Sequence, residues 1–319
     1  MIDPGLLLLN DLNWRYRAAG VLHAASRLGI FTMLSKKEMS GEQICREIKS
    51  QSEMTEKLLI ACVAIGLLER DEGQYKNTAL AQKYLAEGQE LYQGDIIAHS
   101  ATGWDFWGQL ADHVVSGTER GIIRPADHKS FIMGMRNIAV AGRAKMFIDS
   151  VDLRGRKKLF DAGCGPGTYS IAACKHYPEL KAVVFDLPET ILITKELIEK
   201  EGMHDRISVR QGDWTTDSFG NDNDVVLFSN VLHGPGSDAE MKLGKAYDSM
   251  DVGGLLVVQE FLLNDLKTGP LTAALFNVMV GAFSKDEIFN VIAKSGFHGP
   301  KLAAESEETG SSWITAEKS

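Results

Sequence analysis

The 319-residue sequence predicts a doubly wound α/β domain preceded by a smaller, mostly helical domain. Three observations predict it. Apolar residues in the first third recur at helical spacing with little strand pattern. From about Lys157 onward, short apolar strands alternate with helical stretches. The first of those strands runs directly into a glycine-rich turn. We place the first domain at 1–94 and the α/β domain at 95–319, the latter including additional helices over 95–150.

In the first domain, Trp14, Ala18, Val21, Leu22, Ala25 and Leu28 form one apolar stripe on a helix. Ser40 suits the N-cap of a short helix through Ile48. A more apolar helix over Thr55–Leu68 leads into Glu69–Tyr75, which reads as a small β-wing turning at Gly73. Together these pieces make a winged helix-turn-helix. The helix that would enter a DNA groove carries Lys57 and then Leu58, Leu59, Ile60, Ala61, Val63, Ala64 and Ile65. It lacks the long polar side chains that reach base edges, so it reads as a core or subunit-contact surface.

In the second domain, Lys158–Ala162 is the first strand and Ile171–His176 belongs to the helix that follows. Ala182–Phe185 is the second strand, and Ile207–Arg210, Val225–Ser229 and Leu255–Glu260 are further buried strands. In such sheets ligands collect at the carboxyl ends of the strands.

Composition narrows the function. With 34 Lys and Arg against 43 Asp and Glu, the net charge of -9 argues against a general affinity for nucleic acid or anionic membrane. Apolar runs such as Leu6–Leu9 and Gly254–Val258 are too short to span a bilayer, and no export leader is apparent. Cys45, Cys62, Cys164 and Cys174 form no CxxC pair, which suits reduced thiols in a cytoplasmic protein. No HExxH or His/Cys cluster is present, so no metal is expected.

The candidate ligand site starts at Asp161-Ala-Gly163-Cys-Gly165-Pro-Gly167, where alternate glycines let the backbone turn sharply and approach a ligand. Thr168 stands where a dinucleotide fingerprint needs glycine, which argues against an NAD-dependent oxidoreductase. Asp186, with Leu187 beside it, closes the second strand. A carboxylate there can accept from both hydroxyls of a ribose, or it can cap the helix that follows. Gly212-Asp213-Trp214 follows the third strand: Asp213 suits an adenine amino group and Trp214 its ring face, or both belong to a surface turn. Ser229 and Asn230, at the end of the fourth strand, complete the cofactor-binding candidates.

The GxGxG spacing after an acidic residue resembles motif I of class I methyltransferases. Ala182–Pro188 (AVVFDLP), Gln211–Trp214, Val231-Leu-His233, Gly253–Glu260 and Lys294–Phe297 follow in order. With these motifs the whole chain resembles the O-methyltransferase family of caffeate, flavonoid and acetylserotonin enzymes and bacterial antibiotic-tailoring enzymes. The resemblance implies a Rossmann-like methyltransferase domain behind a winged-helix dimerisation domain, hence a homodimer. It implies S-adenosyl-L-methionine as cofactor, S-adenosyl-L-homocysteine as product, and a phenolic or enolic hydroxyl of a small molecule as acceptor. It also implies His233 as general base, with Glu260 orienting its ring and stabilising the imidazolium. The competing readings are a structural histidine and a strand-end carboxylate. Carbon methylation, or cofactor binding without transfer, are the alternative functions.

Three departures stand against the family pattern. Gly234-Pro235-Gly236 replaces the usual Asp-Trp after the histidine, Ala282-Phe283-Ser284 replaces Glu-Arg-Thr, and the segment between Leu271 and Ser284 is short. Phe131–Met135 resembles the family's substrate-lining helix, which implicates Met135. Phe276, Asn277 and Met279 are the other acceptor-pocket candidates. Trp104, Phe106 and Trp107 form an aromatic cluster suited to cover a flat substrate. Core packing competes for each of these.

Overall fold

The computed structural model describes residues 3–117 and 127–319. Residues 118–126, within the 95–150 stretch expected to hold additional helices, lie outside the described residues, as do Met1 and Ile2. The chain divides into two compact units, Met1–Gly108 and Gln109–Ser319.

The first unit opens with a 24-residue helix, Pro4–Arg27, whose start is set by Asp3 accepting from the amides of Gly5 and Leu6. Its C-terminal half supplies Val21, Leu22 and Ala25 to a core with Ile30, Phe31, Leu59 and Tyr75. Toward the N-terminus the stripe changes character: Trp14 is 62% exposed, and Leu6 to Leu9 and Leu12 also face outward. Ser40 and Gln43 form a reciprocal capping box on the helix Gly41–Glu47. The next helix, Ser52–Ala64, starts and ends a few residues before its expected bounds, because Leu68 already belongs to a strand. Strands β1 (Met39–Ser40), β2 (Leu68–Asp71) and β3 (Gln74–Asn77) form an antiparallel sheet ordered β1-β3-β2, with the wing turning at Gly73. Trp104 packs against Tyr16 and His23 of the long helix, and Phe106 is buried edge-on to Trp107.

The second unit is a seven-stranded sheet. Its strands are β4 (Lys158–Ala162), β5 (Lys181–Asp186), β6 (Ile207–Gln211), β7 (Asn223–Ser229), β8 (Met250–Phe261), β9 (Phe297–Ser306) and β10 (Ser311–Lys318). The order is β6-β5-β4-β7-β8-β10-β9, and β10 pairs antiparallel with both of its neighbours. Strands β4, β5, β7 and the second half of β8 carry the apolar runs that burial on both faces demands, while β6 lies at the sheet edge with only Ile207 buried. One face packs Phe160, Phe228, Leu243 and Ile288; the other packs Leu159, Val184, Leu227 and Trp313. Trp313 stacks on Phe147 with ring centroids 4.7 Å apart. Strand order reverses at β4, flanked by β5 and β7, and the carboxyl ends of these strands open toward a crevice.

Candidate active site

A cavity of about 340 Å³ lies at these carboxyl ends, a size suited to a small ligand. Its floor is the glycine loop. A Cβ on Gly163 would lie 2.8 Å from Val231 and 2.9 Å from Trp214, and the residue has φ 75°, so only glycine fits between those two walls. Gly165 faces the cavity, and its amide donates to Asp186 Oδ2 at 2.8 Å. The second carboxylate oxygen of Asp186 accepts from Leu187 N, also at 2.8 Å. Asp186 does not cap the helix Pro188–Lys200, whose N-cap is Leu187 with no side-chain bond; its carboxylate anchors the glycine loop and still lines the cavity, with lone pairs left for a hydroxyl ligand. Burial raises its pKa, partly offset by the amides of Gly165 and Leu187.

Asn230 lines the cavity with a buried Oδ1 that has no hydrogen-bond partner. A buried acceptor left unmatched is costly, and it asks for a donor such as an ammonium. Arg143 is half-buried against the cavity, its guanidinium 4.8 Å from the ring of Phe261, and burial lowers its pKa. It is delivered there by a π-helical turn, Ala139–Arg143, in which Gly142 leaves helical dihedral angles. A carboxylate acceptor, a carboxylate-binding cation, an unmatched acceptor and an indole face together match the ribose, carboxylate, ammonium and adenine of S-adenosylmethionine. By donor chemistry the site fits that cofactor.

The loop after β7 that carries His233 is held on every side. Asn230 and His233 both have positive φ, 52° and 57°, a left-handed backbone that costs non-glycine residues on the order of 1 kcal/mol or more. Asn230 N donates to Gln259 O at 2.8 Å. Lys242 Nζ donates to Val231 O at 2.6 Å, and Ser237 Oγ donates to Leu232 O. Glu260 Oε1 accepts from Leu232 N at 2.7 Å and from His233 N at 3.2 Å. Here the structure corrects an expectation: Glu260 grips the backbone of the loop, not the imidazole. The reason is geometric, since β7 and β8 are adjacent and the loop folds back over the end of β8. Burial pushes the Glu260 carboxyl up to about 7.

His233 lines the cavity with its ring 5.8 Å from Phe276, and its buried Nδ1 has no hydrogen-bond partner. Burial first, then the charge of Lys242, brings the imidazole down to about 4. It is neutral at physiological pH and available to accept a proton.

Several expected site residues stand back from the cavity. Asp161 is 1% exposed and accepts from Ser170 Oγ at 2.7 Å, bracing the glycine loop from behind, with its pKa pushed by burial to about 7. Gly167 serves as the left-handed N-cap of the helix Thr168–His176. Asp213 is exposed, and its Oδ1 accepts from both the amide and the hydroxyl of Thr215 at 2.8 Å. That is the surface-turn reading for Asp213, while Trp214 does line the cavity. Phe276 packs between the rings of Phe261 and His233 without lining the cavity, Asn277 Oδ1 accepts from Ala282 N at 2.9 Å, and Met279 is outside the lining set. Met135, Leu187 and Ser229 do line the cavity.

The Gly234 departure also has a structural account. A Cβ there would sit 2.6 Å from Ala282 N and 2.8 Å from Gly281 C, so the short segment before β9 presses its backbone against the loop that carries His233. No side chain fits at 234, acidic or otherwise.

Sequence reasoning missed His128, Arg143, Tyr169, Thr190 and Lys242, all of which line the cavity. The pairing of Gly142 with Arg143 inside an otherwise helical run was the available signal for Arg143.

Residues 116–298 match the family described as O-methyltransferase domain, and residues 12–87 match the O-methyltransferase dimerisation domain. A 3-hydroxy-5-methyl-1-naphthoate 3-O-methyltransferase of Streptomyces sahachiroi is 30% identical over 292 residues, covering 88% of this chain and 84% of that protein. An L-tyrosine C(3)-methyltransferase of Streptomyces lavendulae is 26% identical, covering 82% of this chain and 76% of that one. Among solved structures, human N-acetylserotonin methyltransferase in complex with SAM superposes with a TM-score of 0.86 at 23% identity, covering 99% of this chain and 98% of that chain.

Proposed function

The chain belongs to the O-methyltransferase family, and from that premise we propose that it methylates a hydroxyl of a small-molecule acceptor with His233 receiving the proton. The observation that carries this reading is a single cavity that joins the glycine loop, Asp186 and the unmatched Asn230 Oδ1 to a neutral imidazole.

S-adenosylmethionine, when bound, supplies a methyl group made electrophilic by the sulfonium. Asp186 is the group to hold the ribose hydroxyls, Trp214 the adenine face, Asn230 Oδ1 the ammonium and Arg143 the carboxylate. His233 accepts the acceptor's proton as the oxygen becomes nucleophilic. An imidazole near 4 is a weak base, and no carboxylate among the described residues is hydrogen-bonded to it. That pairing is best matched to acidic hydroxyls, such as enols and electron-poor phenols, which need little help to ionise. Phe131, Ile132, Met135 and Ile138 give the cavity an apolar wall for a flat acceptor.

The test has two steps. Calorimetry with S-adenosylhomocysteine and with NAD should show binding of the first alone. Turnover on a panel of phenols and enols should then be greatest for the more acidic members. Binding without turnover on any acceptor would support a cofactor-binding protein instead. Because a phenolate is also nucleophilic at its ortho carbon, and a relative is named as a carbon methyltransferase, product NMR decides which atom carries the methyl. The dimerisation-domain match and the outward-facing Leu6 to Leu9, Leu12 and Trp14 support a homodimer, which sedimentation should report as twice the chain mass.

A further inference from the structure

The helix Ala239–Ser249 buries Ala239, Leu243 and Ala246 on the face it turns to the sheet, and Lys242 lies on that same face at 4% exposure. A lysine there is expensive unless its charge is used. Its ammonium donates to Val231 O at 2.6 Å and sits 4.2 Å from the ring centroid of Trp214. Val231, Trp214 and Lys242 all line the cavity with His233. No carboxylate among the described residues lies within ion-pair distance of it; Asp238 and Glu260 favour its charge from farther away, while burial lowers its pKa. The cation is thus held between one carbonyl and one indole face, at the joint between two walls of the cavity.

We propose that Lys242 is a positioning residue for methyl transfer, tying the Trp214 wall to the loop that carries the base and keeping a positive charge behind the His233 imidazole. This rests on the reading of His233 as the base and Trp214 as the adenine wall. The tie to Val231 opposes relaxation of a loop in which Asn230 and His233 are left-handed. The charge acts on the imidazole directly: a neighbouring cation disfavours imidazolium and so keeps the ring ready to accept a proton. Glu260 and Asp238 face the same loop and oppose that effect. Phe276 brings no charge from its helix, while Arg143, Asp186 and His128 face it across the cavity. If Lys242 were ordinary core, a methionine of similar length would replace it with no change at the histidine.

The test compares full-length wild type with Lys242→Met by following the His233 ring and the Trp214 indole N–H by NMR across pH, without cofactor or acceptor. The His233 midpoint should rise in Lys242→Met by on the order of half a unit or more, because the cation that opposed protonation is gone. The Trp214 resonance should move. S-adenosylhomocysteine affinity should fall roughly two- to fivefold, the worth of a lost cation–π contact. Lys242→Arg should restore the low midpoint. A folded Lys242→Met with an unchanged His233 midpoint overturns the proposal. Should that variant not fold, Lys242→Gln, which retains a donor for Val231 without the charge, takes its place under the same criterion. Failure of wild type to bind S-adenosylhomocysteine would sink the cofactor reading while leaving the NMR comparison readable.

Discussion

At one end of the cavity Asp186 accepts from the amides of Gly165 and Leu187; at the other, Glu260 accepts from the amides of Leu232 and His233. Both carboxylates use the same chemistry to shape a loop. They differ in what remains. Asp186 still lines the cavity, so it both builds the site and can contact a ligand. Glu260 is 1% exposed behind its loop, and acts only through the residues it holds. A carboxylate's role at a site is set by which of its lone pairs face the ligand, not by its presence at the right point of a motif.

The comparison can be broken most sharply at His233, the proposed base. His233→Ala should leave S-adenosylhomocysteine affinity nearly unchanged and lower transfer by roughly 10²–10⁴-fold, with the loss shrinking as the acceptor becomes more acidic. Full rate retained on every acceptor would mean that proximity alone drives transfer. Gly234→Ala should follow in size. Its Cβ meets backbone at 2.6 Å, which cannot swing aside, so the base loop must shift. A destabilisation of about 1–3 kcal/mol is expected, read from thermal or denaturant unfolding, together with a rate loss and little change in cofactor affinity.

Asp186→Ala tests the other end. It should weaken S-adenosylhomocysteine by on the order of 1–3 kcal/mol, through loss of charge-assisted hydrogen bonds. Asp213→Ala, on the exposed turn, should change the same titration by less than about 0.5 kcal/mol. Equal effects of the two variants would mean that Asp213 reaches the cofactor after all.

A separate expectation concerns pH dependence. The Asp161 carboxyl, pushed by burial to about 7, holds its proton in the folded chain after the unfolded chain has released it at about 4. The folded state then binds more protons, so this group's contribution to stability falls as pH rises from about 4 to 7. Asp161→Asn removes that fall. The difference in melting temperature between wild type and this variant should therefore change between pH 5 and pH 8, in favour of the variant at the higher pH. Parallel curves for the two proteins would show that Asp161 is ionised in the fold.

What was legible in the sequence follows from range. β4, β5, β7 and β8 were readable because strands buried on both faces carry apolar runs, β6 because Ile207 and Val209 alternate with polar residues at an edge, and the winged helix because caps and turn glycines are local signals. The β9–β10 pair was not read. The run from Phe297 to Ser306 is exposed or half-buried after its first residue, at a sheet edge, and β10 gains its place only by inserting between β8 and β9. The glycine loop and Asp186 were legible because the residues that make the local turn at the strand ends are the same ones that line the cavity. Asp213 shows the limit: its motif position suggested an adenine contact, but the residue lies outside the cavity lining on an exposed turn, its Oδ1 bonded to Thr215.

By itself, then, the sequence determined the two-domain order, the α/β sheet, the glycine loop and the identity of His233 as the candidate base. These depend on periodicity, backbone permissiveness and side-chain chemistry at neighbouring positions. Only the tertiary structure decided that Glu260 holds a backbone and not a ring, that Arg143 and Lys242 reach the cavity, and that no side chain fits at Gly234. Each of those depends on contacts between segments far apart in the chain, where burial and a few tenths of an ångström of clearance determine what a charge or a Cβ can do.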